Sequence, residues 1–414
     1  MANTLKTLSD GDLVRKYLAS FHNQLKFIKT INRQYDSRFA VEGAKNGGTL
    51  LIKDPNQYVV TTGAVMDVQD IVETTQSLTV ATQKHIAVNL SSLEWTLSVD
   101  DFEEMHINPA MSRLAADVEY TVLAAVYKNV FNMTGASGMA SNPATLAAIL
   151  NAGVKLSQGL APTGDRSLLL DSVAMAGVIG AMGIYFHPAS TLEKAISDGF
   201  MGRAGGFDFY ESNMVPRHTN GTRTDTTPVT DTSNATYWVN GATTMIVTAA
   251  GNALTYLAGD VFTVAGVYAV NPETKQTYAH LQQFVVRTSN VSAADGTFVT
   301  PLAIAPTIYV SGAKQNVSVT GAGSSALTNL TAGGGGAASA VLTQNLAYHR
   351  DAFTFVSADL HMEPGARMTR AVSEGISMRL WRGTDIVNDK FPSRLDVLFG
   401  YKTIRPEWAN RTRG

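Results

Sequence analysis

The chain has no cysteine among its 414 residues, which excludes disulfides, thiolate metal sites and cysteine nucleophiles together. Charge is also scarce. Asp, Glu, Lys and Arg make up 16% of the residues, against roughly 25% in ordinary soluble domains, so much of the surface is neutral and suited to burial in an assembly. A formal net charge of −2 leaves no global footprint for a polyanion. Met1 to Asp10 holds neither an apolar run nor a small-residue cleavage pattern, so no standard secretory signal is expected there. The longest strongly apolar stretch, Val173 to Phe186, is 14 residues. A bilayer takes about 20, so this stretch reads as a buried helix and no membrane partner is expected.

Chemical motifs are equally sparse. The eight histidines never fall within four residues of one another, so no His-x-His or His-x-x-x-His metal spacing exists. Asp100, Asp101, Glu103 and Glu104 could suggest a cation site, but acids just before a helix also fit a solvated turn favoured by the helix dipole. Gly321-Ala322-Gly323-Ser324-Ser325-Ala326 matches a loose dinucleotide fingerprint in letters only, since no βαβ unit surrounds it. Gly135-Ala136-Ser137-Gly138 is not a nucleophile elbow, and no glycine-rich phosphate loop occurs. The reading assigns no catalytic, cofactor or metal residue.

What the chain does have is organisation. Ser9 to Asp12 offers a helix N-cap, and Leu13, Tyr17, Leu18, Phe21, Leu25 and Ile28 follow at helical spacing, an amphipathic helix with one apolar face. Residues 1 to 45 carry eight Lys or Arg against four acids, a local excess of +4. A solvated helix face explains that excess as readily as a binding face does. Between Gly43 and Asp100, the runs Thr49–Ile52, Val80–Leu90 and Leu93–Val99 alternate apolar with polar residues, as half-buried strands do. Asn108-Pro109 starts a helix whose apolar stripe continues to about Phe131, predicting a spine about 35 Å long. A second helix is expected from Asn142 to Gln158, a core strand at Leu168–Leu170 and a helical piece at Ala189–Ile196.

From Thr222 to about Gln344 helical signals vanish and short alternating runs take over, closing in the glycine-rich joint at Gly333–Gly336. This reads as an all-β module inserted into another domain. The end of the chain is the most informative part. Ile376, Met378 and Leu380 alternate with Ser377, Arg379 and Trp381, the period of a half-buried strand, and the apolar run Leu395–Phe399 can pair beside it.

Gly375-Ile376-Ser377-Met378-Arg379-Leu380-Trp381-Arg382-Gly383, followed by Ser393 to Gly400 and Ile404-Arg405-Pro406-Glu407, resembles the C-terminal segment of tailed-bacteriophage major capsid proteins. Four further stretches extend the likeness in order. They are His85–Leu90 with Ser98–Phe102, Leu114–Glu119, Gly205–Ser212 with Val215-Pro216 and His218–Gly221, and Gly259–Val267. Together they are similar to coat proteins of the Hong Kong 97 fold, specifically the short-tailed Salmonella phage type with an inserted β-barrel domain. The resemblance implies an α+β subunit with an N-arm (1–42), an E-loop (43–100) and a peripheral domain with a long spine helix (101–164). It further implies an axial domain beginning at 165–221, an all-β insertion (222–344) and a return through 345–414, with axial strands to about residue 400 and further peripheral strands near 345–400.

It also implies a non-enzymatic subunit that assembles as pentamers and hexamers into an icosahedral shell around double-stranded DNA. A scaffolding protein, a portal and a decoration protein are the further partners implied, with assembly in the host cytoplasm and final residence in the virion. Arg15, Lys16, Phe21, Lys26 and Lys29 of the N-arm are the expected assembly residues. Two rivals remain open on the sequence: an encapsulin-like cargo shell, which shares the fold, and a β-rich phage tail or adhesion protein. An enzyme stands third, without a supporting motif.

Overall fold

The structure is a computed structural model and describes residues 10–33, 49–66, 68–70, 73–91, 108–135, 146–182, 203–222, 229–230, 238–248, 254–293, 301–320, 327–329, 339, 341–363, 365–373, 375–386, 388 and 390–412. The expected strand at Leu93–Val99, the acids at 100–104, the helical piece at Ala189–Ile196 and the glycine-rich joint lie outside them. The chain divides into two compact units, residues 1–54, 75–122 and 353–402 in one and residues 55–74, 123–352 and 403–414 in the other.

The first unit begins with α1 (Asp10–Gln24) and the single turn α2 (Phe27–Thr30). Tyr17, Leu18, Phe21, Leu25 and Ile28 of the predicted stripe are buried, with Val14 beside them, so these positions of the stripe enter the core; the side chain of Leu13 lies outside those described. α1 packs on the strands Arg367–Ser373 and Ile376–Arg382. α3 (Asn108–Val126) buries Met111, Leu114, Ala115, Val118 and Val122, and the carboxylate of Glu119 on that same face is also buried. Glu119 accepts hydrogen bonds from the amides of Lys26 (3.2 Å) and Phe27, satisfying donors that the start of a helix otherwise leaves unpaired. Burial raises the pKa of Glu119 against the pull of those amides.

Strand Lys390–Thr403 is the backbone of this unit's sheet. It pairs with Thr82–Ser91 through ten consecutive positions, Lys390↔Ser91 to Phe399↔Thr82, and with Ile376–Arg382 through Arg379↔Asp396 to Arg382↔Ser393. Phe353–Ala358 is also its neighbour, and Arg367–Ser373 adds beyond Ile376–Arg382. Ile376, Met378 and Leu380 are buried alongside Leu395, Val397 and Phe399, as alternation predicts. Asp396, 0% exposed, accepts from Arg379 Nη2 (2.8 Å), Arg394 Nε (2.7 Å) and Gln83 Nε2 (3.0 Å). Burial pushes its pKa up, but these donors outweigh burial and hold it below its ordinary value.

The second unit holds a six-stranded mixed sheet in the order Met133–Thr134, Ala409–Thr412, Asn345–His349, Arg166–Leu170, Phe207–Glu211, Arg203–Ala204. The helices α4 (Leu146–Gln158) and α5 (Ser172–Met182) cover it through Ile149, Ala152, Leu156, Ala174, Met175 and Val178, which meet Leu168, Leu170, Phe207 and Phe209. Between residues 229 and 343 every described element is a strand. The main sheet there runs Ala242–Met245, Leu302–Ile308, Thr277–Val286, Val261–Val270, Val317–Val319, with Leu327–Asn329 also on Val261–Val270. Its core includes Tyr256, Phe262, Val264, Phe284, Ile304 and Val317.

Buried polar groups root this β-rich region in the rest of the unit. Arg411, on the strand Ala409–Thr412, is 1% exposed and donates to the carbonyls of Val130 (2.9 and 2.7 Å) and Gly259 (2.8 Å). Burial lowers its pKa to about 10, so it stays charged at neutral pH. Asp260 accepts from Leu257 N–H (2.9 Å) and from His218 Nε2 (2.8 Å), which leaves His218 Nδ1 to accept from the Tyr127 hydroxyl (3.1 Å). Gln283 adds a side-chain clamp on the backbone of Met133, Oε1 accepting at 2.8 Å and Nε2 donating at 2.9 Å.

Three expectations need correction. The spine helix ends at Val126, with a 3₁₀ turn at Tyr127–Asn129. At 19 residues and ~1.5 Å each it is about 28 Å long, because Tyr127, Val130 and Phe131 are buried outside the α-helix. α5 is not buried all round, since Val173 is 57% exposed. The segment 345–400 does not return whole to the unit of 165–221: Asn345–His349 joins that sheet, whereas 353–402 belongs with α1 and the strand Thr82–Ser91.

Two outcomes follow from the buried charges. Removing one partner of a buried ion pair costs about 3 to 5 kcal/mol, so Asp396→Ala is expected to lose that much in urea unfolding, and a loss near zero would show the node to be dispensable. Burial holds the pKa of His218 below 6.5 despite the Asp260 hydrogen bond. Unfolding therefore takes up a proton in that range, and the stability is complete above 6.5 and falls as pH drops below it. Thermal melts from about pH 7.5 to about pH 5 should show a shallower loss for His218→Gln than for the unsubstituted protein. His280 and His349, which burial also lowers, add to the residual slope, and Glu119, which burial raises, acts against it at the acid end.

Candidate assembly interface

The strands Thr49–Lys53 and Thr75–Thr79 form an antiparallel hairpin with register Thr49↔Thr79 to Lys53↔Thr75. Successive side chains alternate between faces, and only one face finds a partner. Leu50, Ile52, Leu78 and Val80 pack with Val356, Ala358 and Leu398, while Leu51 on the other face is exposed. The approach of hairpin and sheet is close: a Cβ on Gly400 would lie 2.5 Å from the Thr79 carbonyl oxygen, so only glycine fits there. Lys402 Nζ donates to the Ser77 carbonyl at 2.7 Å.

Between the two strands, the described residues leave six apolar side chains in water. Val60, Val65 and Met66 are 94%, 88% and 84% exposed, and Tyr58, Val59 and Val68 are exposed too. The segment is nevertheless shaped, since the Gln69 side-chain amide both accepts from Val59 N–H at 2.9 Å and donates to the Val59 carbonyl. Six apolar side chains along one loop form a patch that a lone subunit does not bury, the kind of surface that marks a protein contact. No helix among the described residues is long and apolar enough to cross a membrane, and no group of three metal-ligating residues is found among them.

The five N-terminal assembly residues separate. Arg15, Lys16, Lys26 and Lys29 are exposed, but Phe21 is fully buried. Phe21 therefore anchors α1 to its own subunit rather than meeting another, because the apolar stripe is consumed by the core. Sequence reasoning missed the Asp396 node, although Arg394 and Asp396 at i and i+2 on one strand face were a usable signal. It also missed the Arg411–Asp260–His218 root, whose members lie far apart in sequence.

The model of the P22 coat protein family (gene protein 5) matches residues 10–410. The chain belongs to that family. A search of curated proteins returns no match. Among solved structures, a chain of Mycobacterium phage Che8 is 11% identical with a TM-score of 0.47, over 94% of this chain and 90% of its own. The capsid of Ralstonia phage GP4 gives 8% and 0.42, over 93% and 87%. The mature capsid of bacteriophage PhiM1 gives 10% and 0.39, over 89% and 82%.

Membership in this family makes the chain a phage coat protein with the α+β capsid fold of the Hong Kong 97 type, and it places the coat protein in the virion as a subunit of an icosahedral shell. An uncovered apolar loop is the kind of surface that contacts in such a shell would bury. Fully burying a Val or Met contributes about 1.5 to 3 kcal/mol, and a tenfold change in affinity is about 1.4 kcal/mol. Changing Val60, Val65 and Met66 together to serine is thus expected to raise the concentration needed for assembly by tenfold or more. The monomer's unfolding free energy should move by less than about 0.5 kcal/mol, as for other surface changes. Light scattering against concentration and urea melts separate the two effects; unchanged assembly would remove the loop from the interface.

Proposed function

We propose that this coat protein is the major capsid subunit of a tailed phage and tiles an icosahedral shell as pentamers and hexamers around double-stranded DNA. The observation that carries the reading is the family match across residues 10–410, joined to a subunit that leaves an apolar loop uncovered. Residues 1–42 act as an N-arm, 43–100 as an E-loop, 101–164 as the peripheral domain, 165–221 with part of 345–414 as the axial domain, and 222–344 as an inserted β-domain. The exposed cations Arg15, Lys16, Lys26 and Lys29 face the interior, where they meet a scaffolding protein first and DNA phosphates later. Such contacts carry no base information and weaken with salt. A portal and a decoration protein complete the particle, which is assembled in the host cytoplasm. The role is structural, without a catalytic step.

Expression of the chain alone, imaged by negative-stain electron microscopy and sized by sedimentation velocity, tests this. Closed polyhedral shells or curved sheets with capsomer texture are expected. A small uniform oligomer that persists when the phage's other structural proteins are co-expressed would overturn it.

A further inference from the structure

Residues 54 to 83 contain four acids, Asp54, Asp67, Asp70 and Glu73, and no Lys, Arg or His. The exposed loop is therefore apolar and of one charge sign. A surface that receives it must be apolar and basic.

Such a surface exists beside α4. A cleft of about 440 Å³ is lined by Leu150, Val154, Ser157, Arg166, Gly205 and Tyr278, and no carboxylate is among its lining residues. Leu150 and Val154 are exposed at it. The Arg166 guanidinium is held in place by the carbonyls of Pro162 (2.7 Å) and Ala161 (2.7 Å) and by Ser157 Oγ (3.2 Å), all neutral acceptors. Lys155 stands on the same helix, and burial lowers its pKa to about 8 with no acid opposing. Its charge also reaches His280, which burial first and Lys155 second bring down to about 4. His280 stacks on the cleft residue Tyr278 at 5.3 Å. Both cations are thus partly dehydrated, with no carboxylate paired to either among the described residues, a situation that an incoming carboxylate relieves.

We propose that the loop of one copy seats in the α4 cleft of a second copy, its valines and methionine against Leu150 and Val154 and its carboxylates toward Lys155 and Arg166. This placement rests on the shell-subunit reading and names the surface that covers the loop. Opposite charge selects the register, and apolar contact supplies the burial.

The absence of cysteine gives a clean background for crosslinking. Val60→Cys with Leu150→Cys, assembled and then oxidised, is expected to give a ladder of covalent multimers on non-reducing gels, absent from unassembled monomers. Val60→Cys with Val239→Cys, an exposed position outside the cleft, serves as control. Shells without a ladder, or an equal ladder from the control, overturn the placement and leave the cleft to another acidic segment. Charge reversal is an independent measurement. Lys155→Glu and Asp70→Lys should each raise the assembly threshold by about tenfold, and the pair should recover most of it; no recovery overturns the proposal. Failure of the unsubstituted chain to form shells with its phage partners counts against the capsid reading itself, which keeps the two ideas apart.

Discussion

The register of strand Lys390–Thr403 is the constraint on which the first unit rests. Three strands hydrogen-bond to it, one of them more than 300 residues earlier in the chain. A slip of one residue would turn every side chain to the opposite face, carrying Leu395, Val397 and Phe399 out of the core and Asp396 away from Arg379, Arg394 and Gln83. Hydrophobic contacts alone tolerate neighbouring registers to some degree, whereas a carboxylate shared by three donors has one good position. The buried charge thus gives specificity where apolar burial gives most of the stability. Arg411 plays a comparable part in the second unit, where it is buried beside the carbonyls of segments that are far apart in sequence.

A shell subunit has to be folded and unfinished at once. Its cores are closed by non-local strands, yet the loop between Lys53 and Thr75 keeps valines and a methionine in water. Contacts of about −4 to −8 kcal/mol each, millimolar to micromolar alone, become a durable particle when a closed surface makes many of them at the same time. Weak single contacts also let misplaced subunits leave, a property that a strongly charged or disulfide-linked surface would lose.

Periodic features were legible in the sequence and pairings of distant residues were not. The stripe Tyr17, Leu18, Phe21, Leu25, Ile28 and the alternation at Ile376–Leu380 could be read because each repeats against a single core face. What the stripe faces could not be read, so Phe21 was assigned to assembly although its own subunit buries it. The spine helix was overextended because Tyr127, Val130 and Phe131 continue the apolar pattern while the backbone has already left the α-helix. His218, Asp260 and Arg411 follow no period at all, and nothing local distinguishes them from surface polar residues. The loop at Tyr58–Val68 carried its message in composition rather than period: apolar residues with charge of a single sign.

Both units take their closing strands from the late part of the chain, Lys390–Thr403 in one and Ala409–Thr412 in the other. During synthesis the first core therefore waits for Lys390–Thr403 and the second for Ala409–Thr412, because each sheet lacks its strand until then. A truncated or stalled product would expose the inner faces of both sheets and be a substrate for chaperones or proteases. Subunits become competent for the shell only once both of these strands have been made, so the order of synthesis itself keeps shorter fragments out of the particle.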